Sequence, residues 1–155
     1  MPVSVIYDAR HLHPDDLMGE LISDCRFTGI INNHPVRRRA VPYYGIEMYA
    51  DNDRTYRVYV KDGNLDIIDL TGATGVFTMK VTKQSTTPTI QKSTANPSEG
   101  MIGAADEGEI FFYILPADTN SIDVRQYVFD VTVTLASGKS YTVLEGTINL
   151  LQPVG

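Results

Sequence analysis

The sequence predicts a mostly β chain: an antiparallel immunoglobulin-like β-sandwich behind an N-terminal arm that contains one short helix. Three observations carry this expectation. From Thr55 onward, apolar and polar residues alternate with period two over several short runs, as half-buried strands require. Turn-forming residues separate those runs at hairpin distances. No stretch between them offers a helical crossover, so neighbouring strands are expected to run antiparallel. A compact barrel is the alternative architecture.

The expected division falls near residue 54, with residues 1–53 as the arm and 54–155 as the sandwich. In the arm, Pro14 suits a first helical position, and Asp15 and Asp16 complement the positive end of a helix dipole. Leu17, Met18, Leu21, Ile22 and Cys25 recur on one helical face, which predicts an amphipathic helix over about residues 14–26, ended with help from Gly29. The following NNHPVRRRAVPYYG reads as loop or extended chain, given its prolines and arginine run. So short a helix needs a surface to cover its apolar face, in the downstream domain or in another subunit. The second choice implies that a chain starting near Asp51 folds alone.

In the sandwich, Tyr56, Val58 and Val60 alternate with Arg57, Tyr59 and Lys61 before a turn at Asp62-Gly63-Asn64. Leu65 to Leu70 is expected as a short strand and Gly72 to Gly75 as a bend. Phe77, Met79 and Val81 then alternate with Thr78 and Lys80. A weak strand and an exposed loop follow in TKQSTTPTIQKSTANPSEG, and GEIFFYIL is an apolar strand stopped by Pro116. PADTNSID has turn composition with room for a single helical turn. The clearest strand is RQYVFDVTVTL, whose inward row is Tyr127, Phe129, Val131, Val133 and Leu135. Ser137-Gly138-Lys139 turns the chain, and SYTVLEGTINLL returns, with Gly146 marking a bulge or kink.

Composition bounds the function. A chain of 155 residues fits one ordinary domain with an appendage. Its net charge of −6 argues against general affinity for nucleic acid or an anionic membrane. No apolar run approaches the roughly 20 residues that span a bilayer. The opening MPVSVIYDAR lacks the basic flank and apolar run of a secretory signal, and the single Cys25 leaves no internal disulfide. An intracellular or assembly-bound protein is expected.

No residue pattern carries chemistry. His11 and His13 with Asp15 and Asp16 lack a third spaced ligand group, so a polar helix start is favoured over a metal site. His34 has no visible partner. Asp51-Asn52-Asp53 with Asp62 has the acidity of a calcium loop, but Tyr56 replaces the glycine and the closing glutamate is missing. Asn96-Pro97-Ser98 is excluded as a glycosylation site by its proline. Cys25 has no histidine placed to activate it, and the serines and threonines lack nucleophile-elbow spacing. No catalytic residue, cofactor or metal is therefore expected.

Docking is the better use of what remains. Arg37, Arg38 and Arg39 beside Tyr43 and Tyr44 can pair with phosphates, but in an acidic chain they suit carboxylates of another subunit better. With the helix face of Leu17, Met18, Leu21 and Ile22 they form the expected subunit-docking set. Tyr43, Tyr44, Tyr49, Tyr56 and Tyr59 are dense enough for a sugar- or protein-binding surface, with half or more of them in strand packing.

The segment TYRVYVKDGNLDIIDLTGATGVFTMKV resembles the opening of an immunoglobulin-like module of tailed-phage virion proteins, best known from the N-terminal domains of upper baseplate proteins. The shared features are a strand, an Asp-Gly type turn, and the bend Asp69-Leu70-Thr71-Gly72-Ala73 into a second strand. LPADTNSIDVRQYVFDVTVTLASGKSYTVLEGTINL is similar to that family's closing hairpins. The resemblance covers residues 54–151. It departs at Asn52-Asp53, where the family often has Gly-Asp, and residues 1–53 have no counterpart. It implies a non-catalytic structural subunit of a tail, baseplate or neck, homo-oligomeric among other virion proteins and assembled in the host cytoplasm. Alternatives are a module recognising a cell-surface carbohydrate and a capsid decoration protein.

Overall fold

The computed structural model describes residues 24–31 and 41–154. The described chain is mostly β. Its strands are β1 (Asp24–Ile31), β2 (Tyr43–Tyr49), β3 (Arg54–Asp62), β4 (Thr74–Lys80), β5 (Ile90–Ser93), β6 (Gly100–Ile102), β7 (Glu109–Ile114), β8 (Gln126–Thr134) and β9 (Ser140–Leu151). They form two mixed sheets that enclose one core, in the orders β1-β3-β7-β6 and β2-β9-β8-β4-β5. We call these the four-stranded and the five-stranded sheet. A single helical turn, α1 (Pro116–Thr119), joins β7 to β8. Among the described residues no helix is long and apolar enough to cross a membrane.

The period-two pattern sets the faces. On β8 the residues Tyr127, Phe129, Val131 and Val133 are buried, and on β4 Phe77 and Met79 join them. A chain of aromatic contacts crosses the sandwich. Phe27 lies 5.4 Å from Tyr56, Tyr56 lies 5.5 Å from Phe77, and Phe77 lies 5.6 Å from Phe129 and 6.0 Å from Phe112. Such tilted and edge-on pairs add to the area that each ring buries.

Several expectations are corrected. The antiparallel expectation holds for β3, β4 and β5 to β9 but fails at two edges: β1 pairs with β3 in parallel, and β2 pairs with β9 in parallel. Parallel pairing needs a long connection rather than a helix as such. The chain meets that need by placing β1 and β2 in different sheets. The division near residue 54 fails with it, because Phe27, Ile31, Tyr44, Ile46 and Met48 are all in the common core. The helix expected over residues 14–26 is strand at Asp24, Cys25 and Arg26, and its remainder lies outside the described residues. In β1 the continuous parallel ladder to β3, from Asp24 to Ile31, takes the place of the helix, with Phe27, Ile30 and Ile31 all buried.

The segment expected as a strand over Leu65 to Leu70 makes one isolated bridge, Ile67 to Lys61. Leu65 and Ile67 are exposed, Leu70 is buried in the core, and Ile68 packs against it partly buried. Asp62 explains this, since its Oδ1 accepts the N–H groups of Asn64 and Asp66 and so holds the backbone in a turn. Val81 lies beyond β4 and is exposed, so it leaves the inward row. The irregularity expected at Gly146 sits instead at Val143: Val131 pairs with Leu144 and Thr132 with Thr142, leaving Val143 and Leu144 both buried on one strand. Gly146 has another duty. A Cβ there would collide with the Tyr44 backbone, so glycine permits β2 to lie against β9.

Candidate functional site

Of the predicted docking residues, the structure describes Tyr43 and Tyr44, and it places them on opposite faces of β2. Leu17, Met18, Leu21, Ile22, Arg37, Arg38 and Arg39 lie outside the described residues, as do His11, His13, Asp15, Asp16 and His34. Tyr43 is on β2 and about half exposed. Tyr44, expected beside it in docking, is buried. Its ring lies 5.0 Å from Phe27, and its hydroxyl accepts the Thr28 N–H at 2.9 Å and donates to the Thr28 carbonyl at 3.2 Å. Those bonds satisfy backbone groups of β1 and tie the two sheets together. Burial raises the Tyr44 pKa, the bonds to Thr28 opposing it, so its hydroxyl stays neutral.

The five tyrosines likewise do not form one surface. Tyr44 and Tyr56 are core residues, while Tyr43 and Tyr49 are exposed on β2 of the five-stranded sheet. Tyr59 stands on the outer face of the other sheet, where its hydroxyl donates to Glu109 Oε2 at 3.0 Å. There, Arg57 lies over Phe111 at 5.1 Å and 3.8 Å from Glu109, and Arg26 lies over Tyr59 at 5.7 Å. Burial and the bond to Glu109 raise the Tyr59 pKa. Arginine and aromatic side chains in this arrangement are the types that dominate protein interfaces.

A second feature lies on the outer face of the five-stranded sheet. A cleft of about 440 Å³ is floored by β4, β8 and β9 and bordered by Val41. The ladder places Asp130 directly opposite Glu145, with Thr78 on its other side. Lys83, from the loop after β4, bonds Glu145 Oε1 at 3.2 Å. Lys80 completes the charged set. Burial raises the Asp130 pKa; Lys80 and Lys83 act against it and Glu145 with it.

The sequence reading missed this cleft. Asp130 sits at an outward position between buried Phe129 and Val131, so its face was legible. The register that brings Glu145 and Lys83 to it was not. Of the acidic set Asp51, Asp53 and Asp62, two have backbone duties in the fold. Asp62 makes its turn, and the Asp51 N–H, at a φ of 64°, bonds Thr119 Oγ1 at 2.7 Å. Among the described residues no three imidazole, thiol or carboxylate groups are grouped to hold one metal ion. The inward-facing Lys92 of β5 is also structural. Its Nζ lies 2.7 Å from Asp118 Oδ2, which in turn accepts the Leu115 N–H and fixes α1.

No protein-family model matches the chain, and no curated protein matches it. Among solved structures it is similar to the N-terminal domain of phage TP901-1 ORF48, with a TM-score of 0.49 at 8% sequence identity, over 83% of this chain and 98% of that one.

Proposed function

We propose that the chain is a structural virion subunit of a tailed phage, a non-catalytic assembly module that docks to neighbours in a tail, baseplate or neck. The observation that carries this reading is the resemblance of residues 54–151 to the immunoglobulin-like module of upper baseplate proteins, together with the way its signature folds here. In the bend, Leu70 is fully buried, and Asp69 Oδ1 accepts both the N–H and the hydroxyl of Thr71. Gly72 takes a φ of 77°, a region that favours glycine, and the Ala73 N–H returns to the Leu70 carbonyl. Asp69, Leu70, Thr71 and Gly72 thus each have a physical reason to be where they are. The hydrogen bonds from Thr71 also hold the exposed Asp69 carboxyl below its ordinary pKa.

On this reading the two-sheet sandwich is immunoglobulin-like in the family's sense and serves as a rigid spacer. Docking falls to Leu17, Met18, Leu21, Ile22 and the three arginines, joined by exposed Tyr43 and the arginine–aromatic outer face around Arg57. Tyr44 is withdrawn from that set by its burial. The partners are other virion proteins and further copies of this chain, and the location is the virion, assembled in the host cytoplasm.

Sedimentation of two chains tests the reading. A chain starting at Asp24 keeps every strand described above and is expected to be folded and to associate more weakly, having lost Leu17, Met18, Leu21 and Ile22. The full chain is expected to self-associate or to bind purified virion proteins. Two monomers that join no virion protein, with mass spectrometry finding no copy in purified particles, would sink the proposal.

A further inference from the structure

We infer that the cleft over β4, β8 and β9 is a carbohydrate-binding site, sized for one or two sugar rings. Its volume of about 440 Å³ falls within the range of small-ligand sites, roughly 300–1,000 Å³. The charges decide the class of ligand. Two lysines, Lys80 and Lys83, face two carboxylates, Asp130 and Glu145, so the cleft offers no net charge to an anion or a cation. Lys83 and Glu145 already pair across it.

What such a set retains is hydrogen-bonding capacity. Each carboxylate has several lone-pair sites and each ammonium three donors, and Thr78 and Thr142 add hydroxyls that both donate and accept. The ligand that matches alternating donors and acceptors without charge is a neutral, hydroxyl-rich one.

The apolar groups fit the same chemistry. Val41 and Val128 give the cleft limited apolar surface, suited to ring C–H groups. Tyr43, in register with Glu145 and about half exposed, adds an amphipathic ring on the same outer face. The site does not use the other tyrosines; Tyr43 is the one residue it shares with the proposed docking set. A virion subunit can carry it or lack it.

The full chain, labelled with nitrogen-15, should be titrated with maltotriose, N-acetylglucosamine trimer, galactose and rhamnose, each to about 10 mM, a range that captures weak single-site affinity. The expected result is that at least one sugar shifts the amides of Thr78, Asp130, Thr142 and Glu145 and leaves those of β3 and β7 still. Asp130→Ala and Thr142→Ala should each weaken that sugar by about tenfold or more, since each removes a hydrogen-bond partner of the ligand. Unchanged spectra elsewhere would show that both variants are folded. Silence from all four sugars, shifts mapping outside the cleft, or affinity indifferent to both substitutions would each overturn the assignment.

Discussion

The β8–β9 hairpin and the β1–β2 pair bury the same kinds of side chain, yet they are held by different means. β8 and β9 are joined by one tight turn, in which the Gly138 N–H bonds the Leu135 carbonyl and the Leu135 N–H bonds the Lys139 carbonyl. Their ladder is antiparallel and local. β1 and β2 do not pair with each other at all. Each lies parallel to a strand of a different sheet, and Tyr44 spans the two. A hairpin is written in adjacent residues, whereas an edge strand in parallel pairing depends on partners far along the chain.

This difference governs what the sequence reveals. The inward row of β8, the turn at Gly138 and the alternation in β3, β4 and β7 were all readable, because period and turn chemistry act locally. β1 was not, because Leu17 to Cys25 fit a helical face while the short FTGII run, with Ile30 and Ile31 adjacent, carries no clean period of two. Tyr44 was misplaced for a related reason: nothing local distinguishes it from Tyr43 until β2 acquires a face. In the cleft, the outward position of Asp130 was legible and its neighbours were not, since register alone brings Glu145 and Lys83 to it.

The strongest way to break the comparison is to remove the edge strands. A chain starting at Asp51 lacks Phe27, Ile31, Tyr44, Ile46 and Met48, all buried against the hairpin and its neighbours. We expect it to lose cooperative unfolding, seen as a broad or absent calorimetric transition. If that chain melts cooperatively as a folded monomer, β1 and β2 are dispensable and the arm reading of the sequence is restored.

Phe129→Ala tests the hairpin side. Phe129 is buried opposite Met79 and Gly146 and packs against Phe77, so its truncation should cost about 3–5 kcal/mol in denaturant unfolding. A change near zero would take it out of the core. Gly146→Ala is sharper and smaller. It inserts a methyl toward the Tyr44 backbone, and such overpacking costs about 1–3 kcal/mol. Hydrogen exchange should then quicken in β2 more than in β8. Equal exchange in both strands would mean that β2 is not seated on β9 as described.

The smallest expected effect separates the hairpin's two faces. Asp130 lies on the outer face, where burial holds its pKa above the ordinary carboxylate value despite Lys80 and Lys83. Below about pH 3.9 the carboxyl is protonated in both the unfolded and folded states, and it adds no pH dependence. Above that value the unfolded chain releases the proton first, while the folded chain keeps it until the raised pKa is passed. Stability therefore falls as pH rises through that window, and the loss is complete above it. Asp130→Asn removes the titration. Relative to the unaltered chain, the variant should be more stable at neutral pH by roughly 0.3 kcal/mol, because solvent screens a half-exposed group, and the gain should vanish in acid. Urea midpoints at both ends of the window measure it. A variant less stable at neutral pH would mean that the attraction of Lys80 outweighs burial, making the outer face a contributor to the fold as the inner face is.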